Sequence, residues 1–129
     1  MRPSPPMRLI ALTLTLTPLL GACAMFNSVT SVTTIEPNKA FRLGGGQAGA
    51  FTVRGRNEGQ VAVVVYSEVA GKRDSVLTLA PGALVDAQFR SNATAVFRNT
   101  SSVESATVSL KVTGDVRGLG MGYETTSKQ

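Results

Sequence analysis

The chain of 129 residues has no histidine, no tryptophan and a single cysteine, Cys23. Histidine is the usual general base near neutral pH and, with cysteine, the commonest zinc and copper ligand. Its absence argues against such metal centres and against triad-type hydrolysis. One thiol cannot close an internal disulfide, so stability has to come from burial. Lack of tryptophan removes the preferred platform for stacking on sugars. That leaves Tyr66 and Tyr123, expected at exposed strand ends. No Gly-Lys-Ser or Gly-Lys-Thr is present for a Walker loop, and no Asp-x-Asp spacing for a calcium loop. The acids Glu36, Glu58, Glu68, Asp74, Asp86, Glu104, Asp115 and Glu124 are scattered singly, as solvated surface charge would be rather than a paired-carboxylate glycosidase site. No apolar run reaches the roughly 20 residues that a membrane-crossing helix needs.

The N-terminal segment has a different character. Arg8 is followed by an apolar run from Leu9 to Leu20 and then by the small residues Gly21 and Ala22, which is the layout of a cleavable signal peptide. Two endings fit it. Ala22-Cys23-Ala24 reads as an ordinary small-x-small cleavage site that would release a soluble protein starting at Met25. Alternatively Leu20-Gly21-Ala22-Cys23, which holds the sole cysteine where the signal ends, resembles the lipobox of bacterial lipoproteins. The resemblance implies that Cys23 is acylated and becomes the first mature residue, anchored in a lipid bilayer. Two or more acyl chains hold a protein stably, whereas one holds only marginally. Ala24 stands after the cysteine in place of aspartate, and the resemblance to lipoproteins of enteric type then implies passage to the outer membrane, facing the periplasm; an inner-membrane anchor or a secreted soluble form are the alternatives.

Removing residues 1–22 from the chain of 129 leaves 107, enough for one domain. It also removes Arg2 and Arg8 but no acid, lowering the formal charge from +5 to +3. That is too mild for a nucleic-acid binder. The expected organisation is a signal peptide over 1–22, a lipidated N-terminus and tether over 23–38, and a folded domain over 39–129. Within the tether, Val29 to Ile35 reads weakly as a first edge strand, because Val32 and Ile35 are worth burying.

After Cys23 the pattern is that of β-structure. Ala106, Val108, Leu110 and Val112 alternate with Thr107, Ser109, Lys111 and Thr113, as in a half-buried strand. Ala83, Val85, Ala87 and Phe89 alternate likewise with Leu84, Asp86, Gln88 and Arg90. Pro81-Gly82 suits the centre of a type II turn, which predicts a hairpin with Ser75 to Ala80. Gln60 to Tyr66 is apolar on both faces and predicts a central strand covered on both sides. Ala50 to Arg54, Ala40 to Leu43, Thr94 to Arg98 and Leu119 to Tyr123 complete the set. Asn57-Glu58-Gly59 and Gly71-Lys72-Arg73-Asp74 read as loops. The fold class expected is all-β, an antiparallel two-sheet sandwich of about seven or eight strands, immunoglobulin-like or transthyretin-like.

Few residues suggest a site. Gly44, Gly46 and Gly49 fit the dinucleotide pattern G-x-G-x-x-G, but Ala50 to Val53 continues as strand where that motif needs a helix. A hairpin loop is the better reading. Asn92-Ala93-Thr94 and Asn99-Thr100-Ser101 read as turns made by asparagine side chains. Phe51, Phe89 and Phe97 belong in the core. Arg54 and Arg56 share a strand face, with Lys72 and Arg73 in a neighbouring loop, so the four form a candidate contact for an anionic partner. The plain alternative is an edge strand kept soluble by charge.

The function expected is non-catalytic: a membrane-tethered envelope lipoprotein acting as a binding or structural accessory module, without cofactor or metal. Its partners would be the bilayer, through Cys23, and an envelope protein. The alternative is a periplasmic ligand-binding or enzyme-inhibitor lipoprotein.

Overall fold

A computed structural model of the chain describes residues 28–126. The expected signal segment and Cys23 lie outside them. The described residues form nine strands and no helix: β1 (Ser28–Ile35), β2 (Lys39–Gly44), β3 (Phe51–Asn57), β4 (Val63–Val69), β5 (Lys72–Leu79), β6 (Leu84–Phe89), β7 (Thr94–Asn99), β8 (Ala106–Gly114) and β9 (Met121–Thr125). They make a four-stranded sheet of order β1-β8-β3-β6 and a five-stranded sheet of order β5-β4-β7-β2-β9. All pairings are antiparallel. The expected sandwich is therefore present.

Seven of the eight connections pass from one sheet to the other; only β4 and β5 are joined as a hairpin. Its turn is Ala70-Gly71, with φ of 53° and 80°. Two consecutive positive φ values suit a two-residue hairpin, whose twist then matches that of its strands. Lys72 and Arg73 thus open β5 instead of lying in a loop. Pro81-Gly82 does form the expected turn: Gly82 has φ 80° and the Ala83 amide donates to the Ala80 carbonyl at 2.9 Å. However, it joins β5 in one sheet to β6 in the other, so the hairpin expected there is an arch. The Gly44 to Gly49 loop is also an arch, between β2 and β3.

The first strand belongs to the domain. β1 pairs with β8 from Ser28↔Thr113 to Ile35↔Ala106, and Ile35 is fully buried. The sandwich thus starts well before the boundary expected at residue 39. Between the sheets, Phe51 stacks on Phe89 with centroids 5.3 Å apart, and Phe41 meets Phe97 at 6.3 Å. The alternating residues of β8, Ala106, Val108, Leu110 and Val112, are all buried. On β4 the inward residues are Val63 and Val65; Val64 is only half-buried, on the outer face. The strand is interior to its sheet, but a second packed layer does not cover its other side.

Three buried carboxamides fasten the arches. Asn57 donates to the carbonyls of Val61 and Leu79 and accepts from the Gly59 amide. Asn99 donates to Ile35 and Glu104 carbonyls and accepts from Ser101. Gln47 accepts from Gly45 and donates to Arg90 and Ala93 carbonyls. Each side chain meets backbone groups in loops and at strand ends, and in doing so finds the partners that a buried polar group requires.

Candidate functional site

The register places the outward residues of the four-stranded sheet in cross-strand rows. One row is Thr30, Lys111, Arg54 and Asp86; the next is Val32, Ser109, Arg56 and Leu84. Arg54 and Arg56 do share a face, as their spacing requires, and both are exposed. Their strand β3 lies between β8 and β6. Solubilising an edge strand, the plain alternative, therefore does not account for them. Lys111 is directly opposite Arg54 and was the cation missed in the sequence, although its outward place in the β8 alternation marks it. Lys72 and Arg73 are in the other sheet. The four cations grouped from the sequence are thus two pairs on separate sheets.

On this face the ionic contacts are sparse. Arg54 Nε is 3.3 Å from Asp86 Oδ2, with both side chains about two-thirds exposed. Ser109 Oγ donates to Glu58 Oε2 at 3.0 Å. Arg56 and Lys111 make no ion pair among the described residues. Around them stand the hydroxyls of Thr30, Thr52, Thr107 and Ser109, and at the two ends of one row the apolar Val32 and Leu84 are 74% and 73% exposed.

Arg73 has a different setting. It belongs to a four-membered cluster on the outer face of the five-stranded sheet. Arg42 Nη1 lies 3.0 Å from Glu68 Oε1 and 2.8 Å from Glu124 Oε1. Arg73 reaches the same two acids, at 2.7 Å to Glu68 and 3.0 Å to Glu124. Arg73 sits on edge strand β5 and Glu124 on the opposite edge, β9. Four spacings of about 4.8 Å would separate those edges in a flat sheet, beyond the reach of two side chains, so the sheet curls toward this face. Tyr66 adds to the roof: the Arg98 Nε donates to its hydroxyl at 3.2 Å, and the guanidiniums of Arg73 and Arg98 lie 5.7 and 5.9 Å from its ring centroid. Beneath these side chains Ala40 and Val96 are fully buried although neither joins the core between the sheets. Hydrogen bonds from Arg42 and then Arg73 hold the Glu68 carboxyl below the ordinary range. At Glu124, burial pushes the pKa up but the bonds from Arg73 and Arg42 outweigh it, and the net shift is down.

A third feature is the open side where the edges β1 and β9 face each other. Ser31 to Thr34, Phe41, Met121 and Tyr123 line a groove of about 420 Å³. Met121 and Tyr123 share their side of the sheet with the core residues Leu43 and Phe41, yet remain 48% and 55% exposed. Tyr123 is therefore exposed as expected, whereas Tyr66 is held under arginines in the middle of a sheet face.

The glycine-rich segment is not shaped for a dinucleotide: strand β3 follows it, and Gln47 pins the loop from within. Phe51, Phe89 and Phe97 are core. Asn99 makes the expected side-chain turn, and Asn92 supplies a φ of 64° in the other. Among the described residues no group of three acids, cysteines or histidines is placed to hold a metal ion. The lipidation reading of Cys23 falls outside the described residues. Comparison with known proteins finds no matching family model and no significantly similar curated protein.

Proposed function

We propose that the chain is a non-catalytic envelope lipoprotein, held to a bilayer through acylated Cys23, whose sandwich serves as a binding or structural accessory module. The observation that carries this reading is the place of β1. The strand starts at Ser28 and is zipped to β8 along its whole length, so only residues 24–27 separate the lipobox cysteine from a sheet. An anchor there would hold the folded body directly at the membrane. Ala24 supports sorting to the outer membrane with the domain in the periplasm. The test is metabolic labelling with a traceable fatty acid, followed by membrane fractionation. The mature protein should carry label and sediment with outer membranes, and Cys23→Ser should lose both properties. A soluble mature protein beginning at Met25 overturns the reading.

A second reading, a periplasmic ligand-binding or inhibitor lipoprotein, is favoured by the groove between β1 and β9. A small apolar ligand seated against Phe41 and Tyr123 should perturb tyrosine fluorescence, and Tyr123→Ser should abolish the change. An unperturbed signal across a set of such ligands removes this reading.

A further inference from the structure

The outer face of the four-stranded sheet combines features that suit one kind of partner. Arg54, Arg56 and Lys111 lie on adjacent cross-strand rows. Arg56 and Lys111 have no ionic partner among the described residues. Asp86 and Glu58 share the face, so these five groups leave one net positive charge; Asp86 is engaged by Arg54 and Glu58 by Ser109. Two exposed aliphatic side chains, Val32 and Leu84, stand at the ends of the row that holds Arg56. Cations bordered by exposed aliphatics and hydroxyls match the headgroup region of a bilayer, where phosphates accept hydrogen bonds and short apolar groups enter the acyl boundary.

The tether adds an argument of length. From Cys23 to Ser28 there are five Cα steps, at most about 17 Å of extended chain. Ser28 opens the edge strand of this same sheet, and Thr30, two residues on, begins the row that contains Lys111 and Arg54. A body tied so closely meets the membrane surface at high effective concentration, where even a weakly cationic face is enough.

We propose that this face docks on anionic phospholipid headgroups, with Arg54, Arg56 and Lys111 toward phosphates and with Val32 and Leu84 at the acyl boundary. The proposal rests on the anchored-lipoprotein reading. Its test keeps the two separable, because the anchor is supplied chemically. The mature chain from residue 23 has one thiol, so it can be coupled through Cys23 to a maleimide-bearing lipid in vesicles. Those vesicles are made of phosphatidylcholine alone or of phosphatidylcholine with phosphatidylglycerol. An aqueous amine reagent then labels the lysines, and mass spectrometry reads Lys111 against Lys72, which is on the other sheet.

On phosphatidylglycerol vesicles Lys111 labelling should slow several-fold relative to Lys72, and high salt should restore it. Arg56→Glu should weaken the protection by about fivefold or more, since one basic residue at an anionic surface is worth about that factor in partition. Circular dichroism checks that the variant is folded, and Arg56→Gln gives a milder loss of the same sign. Equal labelling of Lys111 and Lys72 on phosphatidylglycerol overturns the proposal. So does equal protection of Lys111 on both vesicle types, which points to a second copy or another apolar surface. Protection that appears only with an acidic protein added likewise overturns it. Loss of fatty-acid labelling in cells defeats the anchor reading and leaves the vesicle result standing as a property of the surface.

Discussion

On the five-stranded sheet, Arg42, Arg73, Glu68 and Glu124 interlock over Ala40 and Val96; on the four-stranded sheet, Arg54, Arg56 and Lys111 stand in solvent among threonines. Both faces look outward, and both carry long charged side chains on alternate strand positions. They differ in charge balance and in how far their side chains interlock. On the five-stranded face two acids meet two guanidiniums within a closed ring of contacts, and the aliphatic stems cover what lies below. On the other face each acid is taken by a single partner, leaving Arg56 and Lys111 without an ionic partner among the described residues. One face has become a thin second core, and the other is a surface.

The sharpest way to break this comparison is to place a charge under each. Val96 and Val32 both project from outer faces, but Val96 is fully buried and Val32 is 74% exposed. Val96→Asp should cost several kcal/mol out of a total stability of about 5 to 15, because its carboxylate would be buried beside Arg42, whose guanidinium is already taken by Glu68 and Glu124. Val32→Asp should change stability by no more than about 0.5 kcal/mol, as surface substitutions do. Urea denaturation of both variants measures the difference. Equal, small effects would mean that the charged cluster is not a roof.

A smaller effect is expected from opening the cluster itself. Glu68 accepts four hydrogen bonds from the two arginines, so Glu68→Gln, which keeps one acceptor oxygen but neither the charge nor the second acceptor, weakens them and should cost about 1 to 3 kcal/mol. The pH dependence has a definite sign. Glu68 and Glu124 are held below their ordinary value of 4.5 in the folded protein. Their contribution is therefore complete above that value and is lost as the pH falls through the lower folded values. Wild type should weaken over that acid range, and the Glu68→Gln, Glu124→Gln double variant should lose much of the slope. A double variant with the wild-type slope would place the acid sensitivity elsewhere.

These contrasts show which parts of the structure were legible in the sequence. Alternation on β8 and β6 assigns the inward residues correctly, because side-chain direction along a strand has a period of two. The Pro81-Gly82 turn was also readable, since its dihedrals are local. What local chemistry does not encode is which sheet the chain joins after a turn. The same Pro-Gly geometry serves a hairpin or an arch, and here it makes an arch, closed by Asn57 contacts from a strand far away in sequence. The valine run of β4 misled for a related reason. Val64 looked buried because it is apolar, yet what half-covers its face is a set of arginine, tyrosine and glutamate side chains drawn from five strands. The basic pairs Arg54, Arg56 and Lys72, Arg73 are close in the sequence but separated by the sandwich. Lys111, distant in sequence, was brought beside Arg54 by register alone.

The smallest expected effect concerns the Arg54–Asp86 ion pair on the open face. Arg54 and Asp86 are direct cross-strand neighbours, and their contact of 3.3 Å is within ion-pair range though longer than the 2.7 to 3.0 Å of the closed face. Their side chains, however, are 69% and 67% exposed, against 31% and 18% for Arg42 and Glu68. Water screens the exposed pair and ordering two long side chains costs entropy, so such pairs contribute about 0 to 1 kcal/mol. A double-mutant cycle of Arg54→Ala and Asp86→Ala should give a coupling of a few tenths of a kcal/mol that vanishes in high salt. The same cycle on Arg42 and Glu68 should give a clearly larger coupling that persists in salt, because the surrounding side chains exclude solvent. Should the two couplings prove equal, burial would not be what separates the faces, and the distinction would rest on Arg56 and Lys111, which have no ionic partner among the described residues.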